Sequence, residues 1–290
     1  MNRIITNENI EQFRNYLVCA EKSRQTIRKY LRDIRKFREY AGAGEITKEL
    51  LVQYKEDLEQ NGHYKVSSIN SYLAAVNQFC CQMGWSDLRV KTIKVQQDAF
   101  APENREMTQE EYIRLIRTAM EQDREKLACL IQTLGSTGIR ISELRYITVE
   151  SLQDGMTEIH NKGKMRRILY PGELSKLLKR YAKKEKIETG PIFRSRSGKP
   201  LDRSNIWRML KQLSKAARVE PDKVYPHNMR HLFARCFYKI KKDIAKLADV
   251  LGHSSIETTR IYIKSTGREH RRQLDRMRLV IGGREQKKTT

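Results

Sequence analysis

Helical periodicity runs through most of this chain, and it restricts the possible folds more than any other feature. Between Ile27 and Ala41 the residues Ile27, Tyr30, Leu31, Ile34, Phe37 and Ala41 recur on one face of a 3.6-residue period, while Arg28, Lys29, Arg32, Arg35 and Lys36 fill the remainder. Such a helix buries one side and offers cations on the other. Ile10, Phe13 and Leu17 predict a helix before it, and Leu50, Leu51, Tyr54 and Leu58 predict one after it, stopped by Asn61-Gly62. Ile69, Tyr72, Leu73, Val76, Phe79, Cys80 and Met83 predict a fourth, following Ser67-Ser68. Residues 1–90 therefore read as a four-helix domain.

The period fades over 91–106, which reads as a linker, and resumes where Thr108 and Glu111 have the spacing of a capping box. A second domain is expected over 107–281, with 282–290 as a disordered basic tail. Its helical pattern breaks once. The stretches 146–149, 156–160 and 167–170 are short, β-branched or aromatic, and separated by turn residues, so they read as strands of a small antiparallel sheet. The hairpin tip, Lys162-Gly163-Lys164, is basic. Helices are expected again over 174–186, 204–217, 227–238, 244–251, 256–263 and 268–281, the last with Leu274, Met277 and Ile281 on one face. The fold class is mainly α with a small antiparallel sheet: a helical N-terminal domain and a mixed α/β C-terminal domain.

Charge restricts the partner. With 58 Lys and Arg against 35 Asp and Glu, the chain carries +23, which repels itself in the compact state unless a polyanion uses it. Nucleic acid is the expected partner. Duplex DNA is favoured over RNA, because the basic faces lack exposed aromatic platforms for single-stranded bases. No apolar run approaches the roughly 20 residues that span a bilayer, and the first residues lack a signal-peptide core, so a cytoplasmic protein without membrane contact is expected. The five cysteines are odd in number and lack metal-ligand spacing, which predicts reduced thiols and no metal site.

Chemistry concentrates between Pro226 and Lys264. His227 and Arg230 share a helical face, His253 follows Leu251-Gly252, and Tyr262 lies nine residues further on. Arginine suits a phosphodiester because its planar fork donates to two oxygens and stays charged. Singly, each residue has a duller reading: a solvated basic helix for His227 and Arg230, a core phenol for Tyr262, and an exposed turn lysine for Lys162, which could give a proton to a departing oxygen, with Lys164 a rival for that task. A His227/His231 zinc pair is disfavoured, because Asn228 stands where the metalloprotease pattern has Glu.

Taken in order, the motifs Thr137-Gly138-Ile139-Arg140-Ile141-Ser142-Glu143-Leu144, Asn161-Lys162-Gly163-Lys164, His227-Asn228-Met229-Arg230-His231, Leu251-Gly252-His253 and Thr258-Thr259-Arg260-Ile261-Tyr262 resemble the tyrosine recombinase (phage-type integrase) family. Ser23-Arg24-Gln25-Thr26 and Ser68-Ile69-Asn70-Ser71-Tyr72-Leu73 resemble the core-binding domain of its Xer-type members. Met165 departs from the family pattern, which has a second Lys there. The resemblance implies a core-binding domain followed by a catalytic domain, and a site-specific DNA recombinase working through a 3′-phosphotyrosyl intermediate and a Holliday junction. Tyr262 would be the nucleophile, Arg140, Arg230 and His253 would hold phosphate oxygens, His227 would assist proton transfer, and Lys162 would protonate the leaving oxygen. No metal or other cofactor is implied. DNA contacts are expected from Ser23, Arg24, Thr26, Arg28, Lys29, Ser68 and Lys164. The expected assembly is a homo-tetramer on two DNA sites, with or without a second recombinase, and the early start of the first helix suggests a simple Xer-like, resolvase-like or inversion role. The alternatives are relaxation of DNA in the manner of a type IB topoisomerase, and a non-catalytic DNA-binding regulator on the same fold.

Overall fold

The computed structural model describes residues 3–94, 106–161, 164–253, 255–263 and 267–277, and the chain divides into two compact units, Met1–Gln97 and Asp98–Thr290. In the first unit α1 (Asn7–Cys19), α2 (Arg24–Ala41), α3 (Lys48–Gln60) and α4 (Val66–Gln82) enclose a core in which Phe13, Leu17, Ile34, Phe37, Leu51, Leu73 and Phe79 are fully buried. Hydroxyls set three of the starts: Thr6, Ser23 and Thr47 each accept a hydrogen bond from the first turn of the helix they precede. α4 begins at Val66, so Ser67 and Ser68 lie inside its first turn and not ahead of it.

Two features of this unit carry no periodic signature. Asp33 is buried on α2, 2.5 Å from Lys29 Nζ and 3.2 Å from Arg32 Nη2, so one of the stripe's cations turns inward to neutralise a core carboxylate. The aperiodic segment after α4 is gripped by α4 itself. Asn77 exchanges hydrogen bonds with both the N–H and the carbonyl of Val90 (2.9 and 2.8 Å), and Asn70 does the same with Ile93 (2.8 and 2.9 Å). These amides stand in for a neighbouring strand.

The second unit is built around α6 (Glu125–Thr137), buried along most of its length between α5 (Gln109–Glu121), α8 (Gly172–Lys184) and α10 (Pro226–Lys241). The capping box of Thr108 and Glu111 opens α5 as expected. α6 passes through Gly135. A Cβ there would lie 2.5 Å from the Tyr112 ring, so this glycine serves helix packing, and the helix ends at Gly138 with φ +60°.

Among the described residues the sheet has two strands, not three. β1 (Met156–Asn161) and β2 (Lys164–Leu169) pair antiparallel from Met156 with Leu169 to Asn161 with Lys164. The expected strand over 146–149 is instead the end of a 3-10 turn, Ile141–Tyr146, followed by the cap of α7 (Val149–Gln153), in which Thr148 and Ser151 bond reciprocally. A single bridge joins Thr148 to Pro191. An extended capping residue and a strand residue draw on the same β-branched types, which is why the pattern misled.

α9 (Arg203–Ala216), α10, α11 (Ile244–Leu251), α12 (Ile256–Arg260), a 3-10 turn Ile261–Ile263 and α13 (Gly267–Met277) complete the unit. α10 separates two apolar clusters: Met229 and Leu232 belong to the main core, whereas Ala234 packs with Leu247, Leu251 and Tyr262 in a satellite cluster flanked by Phe233 and Phe237. On α13, Leu274 and Met277 are about half exposed. Ile281 and the 282–290 tail lie outside the described residues. No described helix is long and apolar enough to cross a membrane.

Gly138 provides a test of this packing. A Cβ there would meet Phe233 Cδ1 at 2.5 Å in a left-handed backbone, whereas Gly155, at φ +69°, has nothing within 4 Å. Gly138→Ala is expected to lower stability by about 2–4 kcal/mol, and Gly155→Ala by only about 1 kcal/mol, read from urea midpoints at unchanged m.

Candidate active site

Arg230, one turn into α10, is 1% exposed and is the largest fully buried side chain among the described residues. Its Nη1 donates to the Gly138 carbonyl, and its Nη2 donates to the Leu251 carbonyl at 2.6 Å and to His253 Nε2 at 2.9 Å. Both carbonyls belong to helix ends, of α6 and of α11. The cation therefore satisfies acceptors that those helices cannot satisfy internally, at the negative ends of their dipoles. Nε is buried without a hydrogen-bond partner among the described residues.

Two more guanidinium groups reach the same end of α11. Arg140 Nη2 donates to the Gly252 carbonyl at 3.2 Å, and Arg166 Nε donates to the Val250 carbonyl at 3.2 Å. Glu143, itself buried, accepts from Arg140 Nη1 at 3.0 Å and from Arg166 Nη1 at 2.9 Å. A Cβ on Gly252 would lie 2.4 Å from Arg166 Cδ, so the Leu-Gly-His turn needs glycine for space as well as for its φ of +62°. Burial lowers the Arg230 pKa to about 10, and Arg140 and Arg166 push the same way, yet the group stays cationic near neutrality.

The histidines respond to this positive field. Arg230 can only donate, so His253 Nε2 must accept; the ring is neutral, and Nδ1–H points to Thr259 Oγ1 at 2.9 Å. Burial, then Arg230, Arg140 and Arg166, hold its pKa down at about 4. His227 lies in the first turn of α10, behind Pro226, where desolvation and the charges of Arg230, Arg140 and Arg203 lower its pKa. His231, one turn further, is pushed down to about 3 by burial and then by His227, Arg235, Arg230 and His253. Tyr262 is 5% exposed, and its hydroxyl lies 3.1 Å from His227 Nε2. A cleft of about 260 Å³ opens beside this group, lined in part by Arg140, Ser142, Arg203, Trp207, His227 and Arg230.

Five of the six residues expected in the site, Arg140, His227, Arg230, His253 and Tyr262, thus meet in one place. Lys162 lies outside the described residues, as does the Lys164 side chain. Glu143, Arg166 and Thr259 were not foreseen. Glu143 lies three residues after Arg140, and Arg166 falls on the inward side of β2 with Ile168, in step with Tyr170 just beyond the strand, a period-2 signal that its charge disguised. Among the residues expected to touch DNA, Arg24, Arg28 and Ser68 are exposed, and the two arginines have no ion-pair partner among the described residues. The Ser23 hydroxyl caps α2 at the Thr26 N–H and bonds the Thr26 hydroxyl at 2.8 Å, and the Lys29 ammonium is committed to Asp33 and the Ser71 carbonyl. Among the described residues, no group of three His, Cys, Asp or Glu is arranged to hold a metal ion.

The profile of the Phage integrase family matches residues 105–269, and that of the phage integrase N-terminal SAM-like domain matches residues 10–81. The chain belongs to the phage integrase family. Its chemistry is accordingly that of a tyrosine-type site-specific recombinase, the breakage and rejoining of DNA. Among its relatives in the family, tyrosine recombinase XerA of Pyrococcus furiosus is 28% identical over 97% of this chain and 99% of that protein. Tyrosine recombinase XerD of Halalkalibacterium halodurans is 28% identical over 90% of this chain and 94% of its own length. The crystal structure of XerA recombinase aligns with a TM-score of 0.53 at 27% identity, covering 96% of this chain and all of that one. A lambda integrase dimer bound to a COC' core site shares the fold, with a TM-score of 0.74 at 18% identity over 92% of this chain and 79% of that one.

The depressed histidines make the stability of this phage integrase family member depend on pH. Between an unfolded value near 6.5 and folded values of about 3 for His231 and about 4 for His253, the unfolded chain binds more protons, so stability rises with pH and is lost on acidification through that window. The urea midpoint is expected to fall between about pH 7 and about pH 4.5, and to fall less steeply in His231→Phe, which removes one of these groups. Equal slopes for the two proteins would contradict the assignment for His231.

Proposed function

We propose that this chain cleaves one strand of a DNA recombination site with Tyr262 as the nucleophile. The observation that carries this reading is the Tyr262 hydroxyl 3.1 Å from His227 Nε2, beside a cleft lined by Arg140 and Arg230. A neutral imidazole accepts a proton, and the lowered pKa keeps His227 neutral at working pH. As the phenolic oxygen attacks phosphorus, its proton passes to His227. Arg140 and Arg230 stabilise the charge on the non-bridging oxygens, with His253 orienting the Arg230 guanidinium through Nε2, the bond from phosphorus to the 5′-oxygen breaks, and Lys162 supplies the proton that the departing oxygen takes. The product is a 3′-phosphotyrosyl bond and a free 5′-hydroxyl. One phosphodiester replaces another, so a 5′-hydroxyl from a second duplex reverses the step and exchanges strands through a Holliday junction.

Binding follows from charge. Arg24 and Arg28, with Ser23, Thr26, Ser68 and Lys164, contact the duplex in this reading, whereas Lys29 contributes mainly by holding Asp33. Such contacts make affinity steeply dependent on salt. The assembly proposed is a tetramer of this chain on two DNA sites.

The substrate for testing is a nicked duplex carrying the sequence that the wild-type protein enriches from a random pool. Tyr262→Phe is expected to bind it with unchanged affinity and to form no covalent complex on a denaturing gel; covalent product from that variant sinks the assignment. Lys162→Ala is expected to cleave slowly, and to recover when the bridging 5′-oxygen is replaced by sulfur, because a thiolate leaves without a proton. If Lys164→Ala alone behaves this way, the proton donor is Lys164.

A further inference from the structure

We infer that His231 is a positioning residue, whose flat ring holds the Tyr262 ring in place for attack on phosphorus. This rests on Tyr262 being the nucleophile. The His231 and Tyr262 rings stack with centroids 4.2 Å apart and planes 28° apart, closer and more nearly parallel than His253 (5.1 Å, 39°) or His227 (5.4 Å, 62°). His227 and His231 are four residues apart and share a face of α10, with their own rings 5.0 Å apart and nearly perpendicular. One histidine meets the phenol at its hydroxyl and the other meets it at its face. Together they fix both the ring plane and the point from which the oxygen attacks.

The nucleophile needs this support because of where it sits. Tyr262 belongs to a three-residue 3-10 turn, Ile261–Ile263, in the satellite cluster, and its neighbour Ile261 is about half exposed. A three-residue 3-10 turn has few and poorly aligned backbone hydrogen bonds to fix the chain that carries the phenol.

A proton-transfer role for His231 does not fit. The phenol's hydrogen-bond partner is His227, and His231 meets the ring face-on. Burial and the surrounding His227, Arg235, Arg230 and His253 keep its imidazole uncharged, so it acts as a neutral aromatic plate. An apolar ring should serve as well.

The test measures single-turnover formation of the covalent complex on the nicked duplex described above, with DNA affinity measured alongside. His231→Phe is expected to cleave within about threefold of wild type, and His231→Ala and His231→Gln to cleave at least about tenfold more slowly, with affinity unchanged in all three. Gln keeps reach and polarity without a ring, so it carries the comparison if Ala fails to fold. A Phe variant as slow as Gln, or an Ala or Gln variant at the wild-type rate, overturns the inference while the nucleophile stands. A covalent complex that survives Tyr262→Phe overturns both.

Discussion

Three guanidinium groups converge on the carboxyl end of one eight-residue helix, and the rest of the site depends on how their repulsion is offset. The carbonyls of Val250, Leu251 and Gly252 take Arg166, Arg230 and Arg140 respectively. A helix C-terminus carries the equivalent of about half a negative charge, and Glu143 adds a full one between two of the arginines. These acceptors come from α11 and from the turn after α6, whereas the arginines come from that turn, from β2 and from α10. The cluster is therefore also a clamp on the fold, because satisfying each cation requires chain segments far apart in sequence to meet. A buried arginine left unpaired would be several kcal/mol less favourable, so partial assembly is disfavoured.

The same field determines the state of the histidines. Cations nearby and burial both disfavour imidazolium, so His227, His231 and His253 are held neutral where a solvated histidine would begin to protonate. Neutrality suits three different arrangements: a nitrogen facing the phenol in His227, an acceptor for Arg230 in His253, and a plate under the Tyr262 ring in His231. α10 carries two of these and Arg230 besides. It can do so because one of its faces is set in the main core and another in the satellite cluster that contains Tyr262.

Legibility in the sequence followed the range of the physics involved. Helices with a continuous apolar stripe, such as α2 with Ile34 and Phe37, were readable because burial of one face leaves a 3.6-residue period. The third strand was misread because Thr148 caps a helix with residues that also suit a strand. Gly135 is small for a reason that its own helix does not show, the Tyr112 ring on another helix. Asn70 and Asn77 carry no periodic signal, since side-chain amides that satisfy a neighbouring backbone have no periodicity. Lys29 was counted with the surface cations because its partner, Asp33, is a carboxylate that an apolar stripe does not announce.

By itself the sequence determined the family and the helical class, and it singled out Arg140, His227, Arg230, His253 and Tyr262 as the candidate set, because residue types suited to phosphate chemistry stand there in one order with their flanking glycines. Tertiary structure alone decided which of them touch. It placed Arg230 on two helix ends, chose the Nδ1–H tautomer of His253, brought in Glu143 and Arg166, and laid Tyr262 against His231. Each of those outcomes depends on distances between segments remote in the chain, and hydrogen-bond satisfaction and desolvation act through distance in space, which spacing along the sequence does not encode.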